Sequence, residues 1–165
     1  RKKELQDACQ VMGIQDLRML GLRDKTVEFE DQNTIADKIY AIIEETNPSL
    51  VITFYPGFAV HPDHDAYGAA VINAVMRLPE EKRPRILCKA FSRDCQEVLG
   101  KPDVVHDVSD VFEQKVDTIR AHKSQTEANF KQWDEQILAK DPELIEWLTK
   151  ETFWTYKGDL ANWQA

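Results

Sequence analysis

Histidine, cysteine and glycine are scarce in this sequence, at 4, 3 and 6 residues among 165. Cys9, Cys88 and Cys95 are odd in number and unrelated in spacing. They form neither a disulfide framework nor a CxxC metal knuckle, which fits a reducing, cytoplasmic setting. No apolar run approaches the ~20 residues that a membrane helix needs, so no membrane association is expected. Positive charge is also short: 21 Lys+Arg face 29 Asp+Glu, for a net charge of -8. A nucleic-acid partner is not expected either, because such binding rests on neutralising phosphates with basic side chains. Internal repeats and low-complexity stretches are missing. What remains is 42% hydrophobic and 30% charged, a composition that argues against disorder. A chain of this size hides roughly 70% of its unfolded surface. No linker divides it, so residues 1–165 read as one domain.

Helix and strand patterns alternate along the chain. RKKELQDACQVMGI places Leu5, Ala8, Cys9 and Met12 on one helical face, with Gly13 where a C-cap falls. Nothing at positions 1–3 has the chemistry of an N-cap. Leu17 to Leu20 reads as a short apolar strand leading into a GLRDK loop. A helix from Asn33 or Thr34 to Glu45 carries Ile35, Ile39, Ile42 and Ile43 as its stripe, and Asn47-Pro48 stops it. LVITF (50–54) is an apolar, largely β-branched run, as in a parallel strand buried on both faces. A loop containing Pro56 and Gly57 leads to a helix over 63–78. Residues 86–91 form a second buried strand, and Val104-Val105 a short one. Helices are predicted over 109–125, with Ser109 and Asp110 at its cap, then over 127–139 and 142–149. FWTY (153–156) reads as an aromatic strand or lid. Of Trp133, Trp147, Trp154 and Trp163, helical spacing makes the first two packing residues. The alternation predicts an α/β fold, a three-layer sandwich with a mostly parallel sheet.

The densest chemistry lies in FYPGFAVHPDHDAYGAA (54–70), which puts His61, Asp63, His64 and Asp65 within five positions. Open parallel sheets bind ligands beyond the carboxyl ends of their strands, and this loop leaves such a strand. His61 and His64 are three residues apart, so on a first helical turn both imidazoles reach one crevice. Histidine with carboxylate is the usual ligand set of a catalytic zinc. The competing reading is a helix capped by an aspartate and flanked by two surface histidines. A catalytic zinc wants three protein ligands, and His106 and His122 are the only other histidines in the chain.

HPDHDA after an apolar strand, with AHKSQ (121–125) on a later helix, resembles the LmbE-like, or PIG-L-like, N-acetylglucosaminyl deacetylases. So does the ELQDAC helix followed by MLGLRDK (19–25). The similarity runs over roughly residues 1–130 and extends to the bacillithiol-biosynthesis members of the family. The resemblance implies a Rossmann-like fold and a metal, usually zinc, though His and carboxylate ligands suit other divalent ions. It makes His64 a metal ligand, and His61 the group that polarises the amide oxygen or protonates the leaving amine. Asp63 would orient and charge-stabilise that imidazole. Arg23, Asp24 and Gln125 would contact the substrate, a small sugar conjugate such as N-acetylglucosaminyl malate.

One departure from the family pattern is large. The HPDDE-type motif that supplies the remaining ligands and the general base is not in these 165 residues. The expectation is that a segment carrying the first strand and that motif precedes Arg1, and that this chain alone is inactive. Ala59 also stands where some relatives place a tyrosine. The rival readings are a metal-dependent hydrolase of another amide or a phosphoester, and a non-catalytic binding module of the same fold. Self-association into a homo-oligomer is compatible with all three.

Overall fold

The computed structural model describes residues 1–157, so Trp163 lies outside the described residues. In chain order the elements are α1 (Lys2–Met12), α2 (Gln32–Thr46), β1 (Leu50–Phe54), α3 (Pro62–Met76), β2 (Arg85–Lys89), α4 (Cys95–Leu99), β3 (Val104–Asp107), α5 (Phe112–Ala121), α6 (Lys123–Leu138), α7 (Pro142–Thr149) and β4 (Lys150–Thr155). The strand order is β1-β2-β4-β3. The described residues form two compact units, one of Arg1–Met19 with Val105–Glu151, the other of Leu20–Val104 with Thr152–Lys157. Among the described residues no helix is long and apolar enough to cross a membrane.

In the second unit, β1 and β2 pair in parallel from Leu50↔Arg85 to Phe54↔Lys89. β4 adds to β2 antiparallel, through Leu87↔Thr155 and Cys88↔Trp154. Residues 153–155 of FWTY are therefore in a strand, and Tyr156 just past it donates its amide to Ile86 O at 3.2 Å. α2 starts on Asp31, whose carboxylate accepts the Asn33 and Thr34 amides, and it ends on Asn47 in a left-handed conformation before Pro48. Ile35, Ile39 and Ile43 of α2 are buried with Ala70, Ile72 and Val75 of α3 and with Ile86 and Cys88 of β2. Each buried isoleucine contributes about 1.5–3 kcal/mol. Burial here pushes the Cys88 thiol up to about 12.

LVITF forms the expected strand, but only one of its faces is covered. Thr53 is buried and Val51 packs on the core, whereas Leu50 is 42% and Ile52 57% exposed. β1 is an edge strand of the sheet, and the two helices cover one side of it. The strand expected at residues 17–20 does not form; these residues are loop, with Leu17 and Met19 exposed. An apolar run becomes a strand only where a partner ladder accepts it.

In the first unit, α1 ends as expected, on Gly13 at φ 74°. Its last carbonyls are closed by Gly13 N–H to Gln10 O and Ile14 N–H to Cys9 O, a Schellman motif. Ala8 and Cys9 are buried, but Leu5 and Met12 are exposed. The long helix predicted over 109–125 is broken. A 3-10 turn at Ser109–Val111 precedes α5, and His122 separates α5 from α6. Neither Ser109 nor Asp110 caps it: the N-cap position of the 3-10 turn is Val108, and Asp107, one residue earlier, accepts the Ser109 amide at 2.9 Å. The start of α6 is held from far along the chain, where Glu4 Oε1 accepts the Ser124 amide at 2.9 Å and Oε2 its hydroxyl at 2.7 Å. Val116, Phe130 and Leu148 are the local core, with Trp133 packed on it. Trp147 meets the Trp133 ring at 5.5 Å but remains 54% exposed.

Candidate active site at the end of the first strand

The end of β1 and the start of α3 meet at van der Waals distance. A Cβ built on Gly68 would lie 2.5 Å from the Phe54 carbonyl oxygen, so only glycine lets the helix approach the strand this closely. One turn earlier on the same helix face, the His64 ring stacks on Phe54, with centroids 4.3 Å apart and planes 7° apart. The His61 ring lies 5.3 Å from His64, tilted by 44°.

His61 is itself the N-cap of α3. Its Nδ1 accepts the Asp63 backbone N–H at 3.1 Å, and Pro62 follows it in the first turn. Pro62 has no amide hydrogen to leave unpaired there. A ring nitrogen that accepts an N–H carries a lone pair, so the proton of the neutral imidazole sits on Nε2. Neither ring nitrogen of His64 has a hydrogen-bond partner among the described residues, and the side chain is exposed.

The two carboxylates serve the loops. Asp63 is 7% exposed; its Oδ2 accepts the Lys25 amide at 2.6 Å and its Oδ1 the Glu28 amide at 3.3 Å. The side chain therefore does not stand behind His61 as expected, and its link to that ring runs through its own backbone N–H. Satisfying two amides of a distant loop in a buried place outweighs a contact with an imidazole already engaged by a cap. Asp65 Oδ1 accepts the Ala59 amide at 3.0 Å, which holds the loop entering His61. Both carboxylates lie in the first turn of α3, where the helix dipole favours negative charge.

Each of these loops contains a strained residue. Val60, a β-branched side chain 71% exposed, sits at φ 71°, and Lys25 at φ 63°. A left-handed conformation costs an L-residue about 1–2 kcal/mol. Lys25 closes a turn in which the Thr26 amide and hydroxyl both donate to Arg23 O, at 3.3 and 3.0 Å.

Arg23, Asp24, His61, Asp63 and His64 thus belong to one unit, and Asp63 ties the first two to the helix of the others. Gln125 is exposed in the first turn of α6, in the other unit, its amide donating to His122 O at 2.9 Å. His122 is the junction of α5 and α6, and His106 is exposed on β3. Among the described residues no three His, Cys, Asp or Glu side chains are grouped to hold a metal. Sequence reasoning missed Phe54, Val60, Gly68 and the Lys25 and Glu28 amides. Only Gly68, at i+4 from His64 in an alanine-rich helix, left a legible signal.

A family model described as GlcNAc-PI de-N-acetylase, PIG-L, matches residues 1–75. A probable N-acetyl-α-D-glucosaminyl L-malate deacetylase 2 of Bacillus cereus is 55% identical over 159 residues, covering 96% of this chain and 72% of that protein. The chain belongs to the PIG-L deacetylase family. The Bacillus subtilis protein of the same name is 50% identical over 157 residues, covering 95% of this chain and 71% of its own length. An N,N'-diacetylchitobiose deacetylase from Pyrococcus horikoshii, solved with its inhibitor MPG, superposes with a TM-score of 0.67 at 21% identity. That match covers 98% of this chain and 64% of the solved one, and it shows that the α/β fold read from the alternation is one that this PIG-L chain shares with a deacetylase of known structure.

Proposed function

We propose that this chain carries the HPDH half of the active site of a metal-dependent N-deacetylase that hydrolyses the acetamide of an N-acetylglucosamine conjugate. N-acetylglucosaminyl malate is the favoured substrate. The observation that carries the reading is the His61–His64 pair at the start of α3, with one imidazole fixed by its cap and the other open. The names of the Bacillus relatives point to the same substrate class.

The residues present fit a metal in part. His64 offers an imidazole with no hydrogen-bond partner among the described residues, stacked on Phe54, and would be one ligand of a zinc or similar ion. Asp63 has both oxygens engaged by amides, so it is not a second ligand. No other residue of this sequence is assigned as a ligand or as the general base. When bound, such an ion supplies Lewis acidity and a nucleophilic water near neutral pH.

The chain's own part is to place and polarise the amide. With its proton on Nε2, His61 donates a hydrogen bond to the acetyl carbonyl oxygen as that oxygen gains negative charge. The cap also bears on the choice between the two roles open to His61. Giving up the Nε2 proton from a neutral ring would leave an imidazolate, and loading Nδ1 first would break the Asp63 bond. Stabilising the oxyanion is therefore favoured over protonating the amine. Arg23 and Asp24, held beside the helix start, would bind the conjugate, with the guanidinium facing an anionic group and the carboxylate facing sugar hydroxyls.

The test uses full-length protein offered N-acetylglucosaminyl malate, other N-acetylglucosamine conjugates and a phosphoester, with released amine, acetate and phosphate measured and bound metal determined by emission spectroscopy. Amine from the malate conjugate is expected, together with a roughly tenfold or greater loss of bound metal in His64→Ala. Phosphate without amine would show another hydrolase. No product from any substrate and no bound metal would show a binding module.

A further inference from the structure

Sequence logic assigns the acidic residue between the two candidate-site histidines to those histidines, yet the Asp63 carboxylate bonds two loop amides and meets His61 only through the Asp63 backbone N–H. Its buried carboxylate crosses to a loop 35–38 residues earlier and accepts two consecutive-turn amides, those of Lys25 and Glu28. The shorter bond, 2.6 Å, falls on Lys25, the residue whose φ of 63° is strained. Strained backbone persists where its surroundings over-determine it, and such places cluster at binding sites. The turn that Lys25 closes begins at Arg23, with Asp24 at its first corner. At the helix start, the backbone N–H of the same Asp63 donates to Nδ1 of His61, the N-cap of α3. One residue therefore sets both the helix start that aims the imidazole and the turn that presents Arg23 and Asp24.

We infer that Asp63 is a positioning residue whose carboxylate locks the 23–28 turn against the histidine-bearing helix, so that it governs substrate affinity through Arg23 and Asp24 and not the chemical step. This deepens the proposed function and rests on it. A carboxylate is suited to the task, since amide hydrogen bonds to a charged acceptor are about twice as strong as those to a neutral one, and both of its oxygens are needed. Asparagine offers one uncharged acceptor and turns a donor toward the second amide.

The experiment compares full-length wild type and Asp63→Asn by steady-state kinetics on N-acetylglucosaminyl malate and by amide hydrogen exchange at Lys25 and Glu28. KM is expected to rise about tenfold with kcat within about threefold of wild type, and exchange at both amides to accelerate about tenfold or more, the scale of one lost charged hydrogen bond. Lys25→Gly added to Asp63→Asn should recover part of the KM, because glycine adopts the left-handed turn without the clamp. A fall in kcat with unchanged KM, a shifted pH profile of kcat, or unchanged exchange would overturn the inference. Should Asp63→Asn not fold, Thr26→Val removes only the hydroxyl bond to Arg23 O, and a rise in KM without loss of kcat remains the expected result; unchanged KM would count against the turn's role. A wild type without deacetylase activity would overturn the functional reading, while the exchange rates would still decide whether the clamp exists.

Discussion

Replacing Gly68 by alanine tests whether the active-site helix is seated by a single missing methyl group. The added Cβ would meet the Phe54 carbonyl oxygen at 2.5 Å, its carbonyl carbon at 3.2 Å and its Cβ at 3.3 Å. Ordinary contact needs about 3.5 Å, so α3 and β1 must part by most of an ångström. The obstacle is strand backbone, which cannot swing aside like a side-chain tip. Overpacking of this kind costs about 1–3 kcal/mol, while alanine returns about 1 kcal/mol of helix propensity over glycine. Taken at the middle of the overpacking range, the net expectation is a loss of about 1 kcal/mol, or roughly 2–4 °C in Tm for a chain of this size. Urea unfolding followed by far-ultraviolet circular dichroism and by tryptophan fluorescence measures it, as a lower midpoint at unchanged slope. His64 lies one turn before Gly68 and stacks on the same Phe54, so under the proposed role of His64 as a ligand, metal retention falls as well. A variant as stable as wild type, or more so, would show that propensity outweighs contact and would refute the close seating of the helix.

Asparagine is among the strongest N-caps, so His61→Asn should leave thermal stability within about 0.5 kcal/mol of wild type while lowering kcat about 100-fold, the usual loss for an oxyanion donor. Unfolding in step with the activity loss would mean that the cap, not Nε2, is what activity needs. The Ser124 hydroxyl and amide on Glu4 hold its carboxyl below its ordinary value. A depressed folded-state pKa means stability that is present in full above the unfolded value and lost as pH falls through the folded one. Glu4→Gln should accordingly be less stable than wild type at neutral pH, with the gap closing in acid. Thermal melts across pH 3–7 (about the range in which glutamate titrates) check the sign, and a gap that widens in acid would contradict it.

Local chemistry was legible in several stretches where it is written in consecutive residues. Gly13 ends its helix as its type suggests, LVITF is a strand, and HPDH opens a helix at the carboxyl end of that strand. The family was legible in the same stretch. Less so was anything that depends on a distant partner. Residues 17–20 have the composition of a strand and no strand forms there, because ladder hydrogen bonds come from another segment. After the break at His122, the start of α6 is held by Glu4, 120 residues away from Ser124, and no window around residue 122 contains that carboxylate.

The sequence alone determined which side chains stand at the site, since a strand, a glycine-bearing loop and a helix start are each set by neighbours a few residues away, and their order puts His61 and His64 together. Tertiary structure decided what the acidic residues between and beside them do. A carboxylate goes to whichever donors are left unpaired nearby, and in this fold those are the amides of Lys25, Glu28 and Ala59. Which amides are brought to a helix start, and left without a partner there, is settled only when the chain has folded.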